Sequence, residues 1–125
     1  MLVVTRYRVD TEAAPTFLRR AQAALTELAR CSGWRSGHVG RAVDDPTLWI
    51  VTAEWADIGS YRRALMVPEV RVQAVPLLGE AIDEPSAFEL FTDVEGSRSA
   101  VAADADVVGI GEAAAPIVAT DLDRS

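Results

Sequence analysis

Apolar and polar residues alternate over positions 1–9 (MLVVTRYRV), and this period of two puts Val3, Thr5, Tyr7 and Val9 on one face of a predicted strand. The period then lengthens to that of a helix. Phe17, Leu18, Ala21, Ala24, Leu25, Leu28 and Ala29 form one apolar stripe, with Asp10 or Thr11 placed to cap it and Pro15 tolerated in its first turn. Gly33 stops that helix. Residues 37–43 (GHVGRAV) and 48–55 (LWIVTAEW) return to strand patterning, joined by the turn residues Asp44, Asp45, Pro46 and Thr47. Asp57 is positioned to cap a second helix in which Ile58, Tyr61 and Leu65 share a side, and Pro68 ends it. Residues 69–84, with Pro76 among them, predict short helical turns, and Ser86–Phe91 (SAFELF) predicts a last strand.

The order β-α-β-β-α-β is the split βαβ pattern of an α+β, ferredoxin-like fold with an antiparallel sheet. The third strand is apolar on both faces: Trp49, Val51, Ala53 and Trp55 on one, Leu48 and Ile50 on the other. In this topology both helices cover the same face, so the other needs a partner. A second copy packed sheet to sheet is the simplest solution, giving a homodimer. A monomer with an apolar surface, or one lidded by its own tail, stays open.

Composition separates the chain into two parts. Residues 1–92 carry the patterned elements, whereas residues 93–125 are rich in Ala, Asp, Val and Gly. The net charge of −7 is concentrated there: residues 1–91 hold 10 arginines against 12 acidic residues, residues 92–125 hold 2 against 7. An acidic tail after a nearly neutral domain offers no basic stripe, so nucleic acid is not an expected partner. No run of about 20 apolar residues predicts a membrane span, and the opening Met1–Val4 run is too short for a signal core. The expected location is the cytoplasm. Cys31 stands alone, which rules out an internal disulfide and reads as small apolar filler in a helix.

Chemistry narrows by elimination. Residues 106–114 match a dinucleotide-binding G-x-G-x-x-A pattern, but the strand and acidic residue that should follow have no room before residue 125. One histidine, one cysteine and scattered carboxylates predict no metal site. No serine sits in a nucleophile elbow, and any acid-base arrangement must run through His38 on the second strand. The remaining chemistry is aromatic: Trp49, Trp55, Tyr61 and Tyr7. These are either core side chains or the lining of an apolar pocket whose N–H and O–H groups orient a flat ligand.

The stretch from Leu48 to Tyr61 (LWIVTAEWADIGSY), with Val67, Pro68, Glu69 and Val70 after it, resembles the antibiotic biosynthesis monooxygenase (ABM) domains of the dimeric α/β-barrel superfamily over residues 1 to about 92. In the branch of cofactor-independent oxygenases of aromatic polyketides, a Trp at the strand end and a Tyr on the next helix line the pocket, and Trp55 and Tyr61 match them. The Asn that branch places four residues before the Trp is Val51 here. In the heme-degrading branch the required Asn, Trp and axial His correspond to Tyr7, Ala64 and Val75, which leaves nothing to ligate iron.

The resemblance implies a monooxygenase without cofactor, acting on a small phenol, anthrone or quinol-like compound. Trp55, Tyr61 and His38 would be its catalytic residues, and Tyr7, Trp49 and Val51 its substrate-binding ones. The alternative is a non-catalytic dimer that binds a small molecule, or an adaptor whose acidic tail docks on a partner.

Overall fold

The computed structural model describes residues 1–96 of the chain. Strand β1 (Leu2–Arg8) leads through one 3-10 turn (Thr11–Ala13) into helix α1 (Ala14–Leu28). Strands β2 (Trp34–Ala42) and β3 (Asp45–Trp55) form a hairpin, followed by α2 (Ile58–Ala64), α3 (Pro68–Gln73), α4 (Val75–Gly79) and β4 (Ala87–Phe88). The four strands lie in the order β2-β3-β1-β4, every neighbouring pair antiparallel. This is the βαββαβ ferredoxin-like arrangement that the alternation of periods predicts.

The inner face of the sheet follows from that period of two. Val3, Thr5 and Tyr7 of β1 and Trp49, Val51, Ala53 and Trp55 of β3 are all buried. Helix α1 presents Phe17, Ala21, Ala24 and Leu28 at spacings of four, three and four, and Ala21 and Ala24 are small enough for a close approach. Val70, Ala74 and Leu77 of the α3–α4 segment complete the core. Burying a side chain of the size of Leu77 or Val70 contributes about 1.5–3 kcal/mol.

Several boundaries differ from the sequence pattern. Asp10 makes no side-chain cap; its carbonyl accepts from Ala13 N at 2.9 Å and closes the 3-10 turn, so α1 begins at Ala14 with Pro15 in its first turn. The turn over residues 44–47 contracts to Val43 and Asp44. Asp45 already pairs with Ala42, and its carboxylate accepts from Thr47 N at 3.0 Å and Thr47 Oγ1 at 2.8 Å. These bonds, with Arg8 at 2.8 Å, hold the Asp45 carboxyl down to about 2. The last strand shrinks to Ala87 and Phe88, because only these residues pair with Val3 and Leu2. Asp57 does cap α2, its carboxylate accepting from Ser60 N at 2.7 Å.

The outer face carries Leu2, Val4, Leu48, Ile50 and Phe88 together with Arg6, Thr52 and His38. Ile50 is 37 % exposed and Phe88 44 %. Arg6 is held by Glu84 through bonds of 2.7 and 3.0 Å. The chain divides after Leu90 into two units, and of the second, residues 91–96 are described and have no regular secondary structure. The apolar stretches and the glycine motif of the tail lie outside the described residues.

Candidate functional site

Register decides which aromatic side chains can work together. Tyr7 lies directly opposite Trp49 in the β1–β3 ladder, and Trp34 directly opposite Trp55 in the β2–β3 ladder. Trp49 and Trp55 share a face but stand six residues apart on an extended strand, about 20 Å at 3.3 Å per residue. The aromatic contacts therefore fall into two clusters, one towards each end of β3. Thr5, Val51, Ala53 and the alanines of α1 fill the space between the clusters.

The first cluster stands at the end of β3. Trp55 is fully buried, with Trp34 edge-on at 5.4 Å and Tyr61 tilted against it at 5.8 Å. Two local features put Tyr61 there, and a third places Trp34. Asp57 caps the helix that carries it, and the bond to Ser60 N holds the Asp57 carboxyl below the usual carboxylate range. Gly33, at φ +92°, brings the start of β2 so close to α2 that a β-carbon on it would overlap the side chain of Ser60. Gly37 lies under the Trp34 indole and leaves it room to reach Trp55. Burial pushes the Tyr61 phenol up, so it stays a neutral donor in the neutral pH range. The Trp55 Nε1 donor is buried without a hydrogen-bond partner among the described residues.

The second cluster stands at the opposite end. Phe17 packs on Tyr7 at 5.0 Å and on Trp49 at 5.4 Å, and Arg41 lies 5.4 Å over the Trp49 ring. The Tyr7 hydroxyl and Trp49 Nε1 are likewise buried and unpartnered among the described residues. The neighbouring Thr5 hydroxyl donates to Val51 O at 3.2 Å, and its interaction with the Tyr7 hydroxyl lowers the phenol against burial, which dominates the upward shift.

His38 joins neither cluster. It pairs with Thr52, whose parity on β3 is opposite to that of Trp55, so its exposed imidazole lies on the outer face and approaches Thr52 Oγ1 at 3.5 Å. The expectation of His38 as a proton acceptor beside Trp55 and Tyr61 is corrected by its pairing with Thr52, past a register shift between Trp34 and Ser36. Val51 is 4 % exposed and buried between the clusters, where its side chain supplies no polar atom. Trp34 escaped the sequence reading. Its signal was available, because an aromatic directly after a helix-stopping glycine opens the strand that pairs with the third.

Cys31 is half-buried and donates weakly to Glu27 O at 3.7 Å; burial and the Glu27 carboxylate push its thiol up, away from a reactive thiolate. It lines a cavity of about 470 Å³ with Arg30, Ser60, Arg63, Ala64 and Glu69, which does not reach Trp55. Among the described residues no group of three His, Cys, Asp or Glu could hold a metal ion, and no helix is long and apolar enough to cross a membrane.

Comparison with known proteins agrees with this fold. Solved structures similar in fold include a candidate antibiotic biosynthesis monooxygenase from Deinococcus radiodurans, at TM-score 0.60 and 16 % identity over 76 % of this chain and 97 % of that one. SnoaB, a cofactor-independent oxygenase from Streptomyces nogalater, aligns at TM-score 0.53 and 22 % identity over 77 % of this chain and 94 % of that one. A conserved protein from Methanosarcina mazei aligns at TM-score 0.56 and 22 % identity, over 69 % and 84 %. No curated protein matches the chain. The family model for antibiotic biosynthesis monooxygenases matches residues 1–72, more than half of the sequence, and the chain belongs to that family.

Proposed function

We propose that this protein is a homodimeric, cofactor-independent oxygenase acting on a small aromatic compound of the phenol, anthrone or quinol type at the Trp55–Tyr61 cluster. The observation that carries the reading is the Trp55 indole, fully buried, unpartnered at Nε1 and set against the Tyr61 phenol. SnoaB, similar in fold, is a cofactor-independent oxygenase. Family members typically form dimers, and the outer face of this sheet, with Ile50 and Phe88 exposed, suits packing against a second copy.

The chemistry asks little of the protein. An anthrone loses a proton from its methylene carbon, and the resulting anion gives an electron to dioxygen. The new C–O bond yields a hydroperoxide, and loss of water leaves the quinone; one dioxygen and one anthrone become one quinone and one water. Tyr61 and Trp55 supply neutral donors to the anionic oxygen in a dry site. With His38 on the other face, proton removal falls to solvent and to the acidity of the substrate. Oxygen uptake with anthrone or simple hydroquinones tests the reading, with loss of most of the rate in Tyr61→Phe as the expected result. Uptake no faster than in buffer, unaffected by Tyr61→Phe, sinks it.

A second reading has its own support. Val51 is apolar where the oxygenase branch carries an Asn, and His38, the single histidine, lies on the other face, which suits a non-catalytic binder of the same compounds. Saturable binding of anthrone without turnover favours that binder.

A further inference from the structure

The Trp55–Tyr61 cluster holds a third ring, Trp34, to which the proposed reaction gives no part. Plain alternation from Ser36 and His38, which pair with the outer-face positions Glu54 and Thr52, would put Trp34 on the outer face as well. A bulge between Trp34 and Ser36 intervenes. Ser36 pairs with Glu54 and Trp34 with Trp55, so the extra residue, Arg35, has no counterpart on β3. Arg35 is exposed, its guanidinium 3.7 Å from the Glu54 carboxylate. The bulge thereby brings Trp34 to the face of Trp55, where the two rings meet edge-on at 5.4 Å and 88°. Gly37 serves the same placement. Glycine weakens a strand interior, yet a β-carbon here would overlap Cη2 and Cζ2 of the Trp34 indole and stand 3.1 Å from Thr52 O. Bulges beside a site re-aim a side chain, and this one re-aims an aromatic ring.

What Trp34 does there follows from what Trp55 lacks. The backbone around Trp55 is clamped from both neighbouring strands. Its N–H donates to Met1 O at 2.9 Å, its carbonyl accepts from the N-terminal ammonium at 3.2 Å, and Ala56 N donates to Gly33 O at 2.7 Å. The indole has no such anchor, because Nε1 is buried without a partner among the described residues. The direction of that donor therefore rests on packing. Of the two rings in contact with Trp55, Tyr61 is itself the other donor of the proposed site, and Trp34 is the one left to hold the indole in place. Holding matters, since a displacement of about 1 Å in a reacting arrangement can cost on the order of 100-fold in rate.

We propose that Trp34 is a positioning residue of the Trp55–Tyr61 site: its ring edge keeps the Trp55 indole in one orientation, which aims Nε1 at the anionic oxygen of the substrate. This role rests on the oxygenase reading for its chemistry, whereas the orientation of the ring does not.

Two measurements on the full chain separate these parts. In nitrogen-15 spectra, three tryptophans give three indole N–H signals, assigned by Trp→Phe substitution. The Trp55 signal should be single and sharp in wild type and in Trp34→Phe, which keeps a ring edge, and broadened or doubled in Trp34→Leu, which does not. Gly37→Ala deletes no aromatic group but displaces the Trp34 ring, and should act like Trp34→Leu. Adding Trp34→Phe to it should restore the single signal, because a phenyl ring lacks the two carbons that the new β-carbon would overlap. In oxygen uptake with anthrone, measured per folded protein, Trp34→Leu should lower kcat about tenfold or more with KM within about twofold. Trp34→Phe should keep kcat within about threefold of wild type. A single sharp Trp55 signal in both Trp34→Leu and Gly37→Ala overturns the proposal. A kcat loss as large in Trp34→Phe as in Trp34→Leu also overturns it, as does a loss lying wholly in KM or in stability. Wild-type uptake no faster than buffer, with the signals responding as expected, sinks the oxygenase reading and supports the orienting role of Trp34.

Discussion

Replacing Gly33 with alanine should unfold a large part of what aligns the Trp55 cluster. The backbone at Gly33 has φ +92°, a region costing a residue with a β-carbon about 1–2 kcal/mol. A β-carbon there would also overlap Ser60, which is 5 % exposed and lies in the helix turn that carries Tyr61. Forcing extra volume into a packed site costs about 1–3 kcal/mol more. The two effects together give about 2–5 kcal/mol, a large share of the stability of a domain this size. They separate in a double-mutant cycle, since Ser60→Gly relieves the overlap and leaves the backbone cost. Denaturant unfolding of wild type, both single variants and the double variant measures each part. The double variant should recover about 1–3 kcal/mol relative to Gly33→Ala. A loss below about 1 kcal/mol in Gly33→Ala, or no recovery on adding Ser60→Gly, refutes the close approach of β2 to α2.

Other outcomes follow from single contacts. Asp57→Ala removes the side-chain cap of α2 and should cost about 1 kcal/mol in thermal or denaturant unfolding. His38→Ala should leave the oxygen-uptake rate within about twofold of wild type, because the imidazole is on the face opposite Tyr61. Burial raises the folded-state values of Tyr7 and Tyr61, so their contribution to stability is complete below the ordinary phenol value. It is lost as pH rises through the raised values; alkaline titration should show delayed tyrosinate absorbance and loss of stability above about pH 10. Ile50→Asp places a charge on the outer face and should shift sedimentation toward monomer, while the far-ultraviolet spectrum stays native.

Much of the fold was legible because periods of two and 3.6 alternate cleanly, and Asp57, Gly33 and Pro68 punctuate them. The β2–β3 turn falls earlier because Asp45, Pro46 and Thr47 look like turn residues yet lie inside a strand, where Thr47 donates to the Asp45 carboxylate. The second and fourth strands have ends set by cross-strand partners, which no local pattern reveals. Trp55 beside Tyr61 was legible from the family likeness. The division into two clusters was not, although strand spacing alone separates Trp49 from Trp55. His38 shows the same lesson from the other side, since its face depends on its partner Thr52, and the bulge between Trp34 and Ser36 resets the parity of β2. Trp34 and Phe17 gain their roles only through contacts distant in sequence.

The most direct measurement is turnover of anthrone under isotopically labelled dioxygen, using protein freed of metal by chelation and of flavin by unfolding and refolding. An oxygenase at the Trp55–Tyr61 cluster puts one labelled oxygen atom in the quinone at a rate well above buffer, and loses most of that rate in both Tyr61→Phe and Trp55→Phe. Unlabelled quinone, or a rate that neither substitution changes, contradicts it.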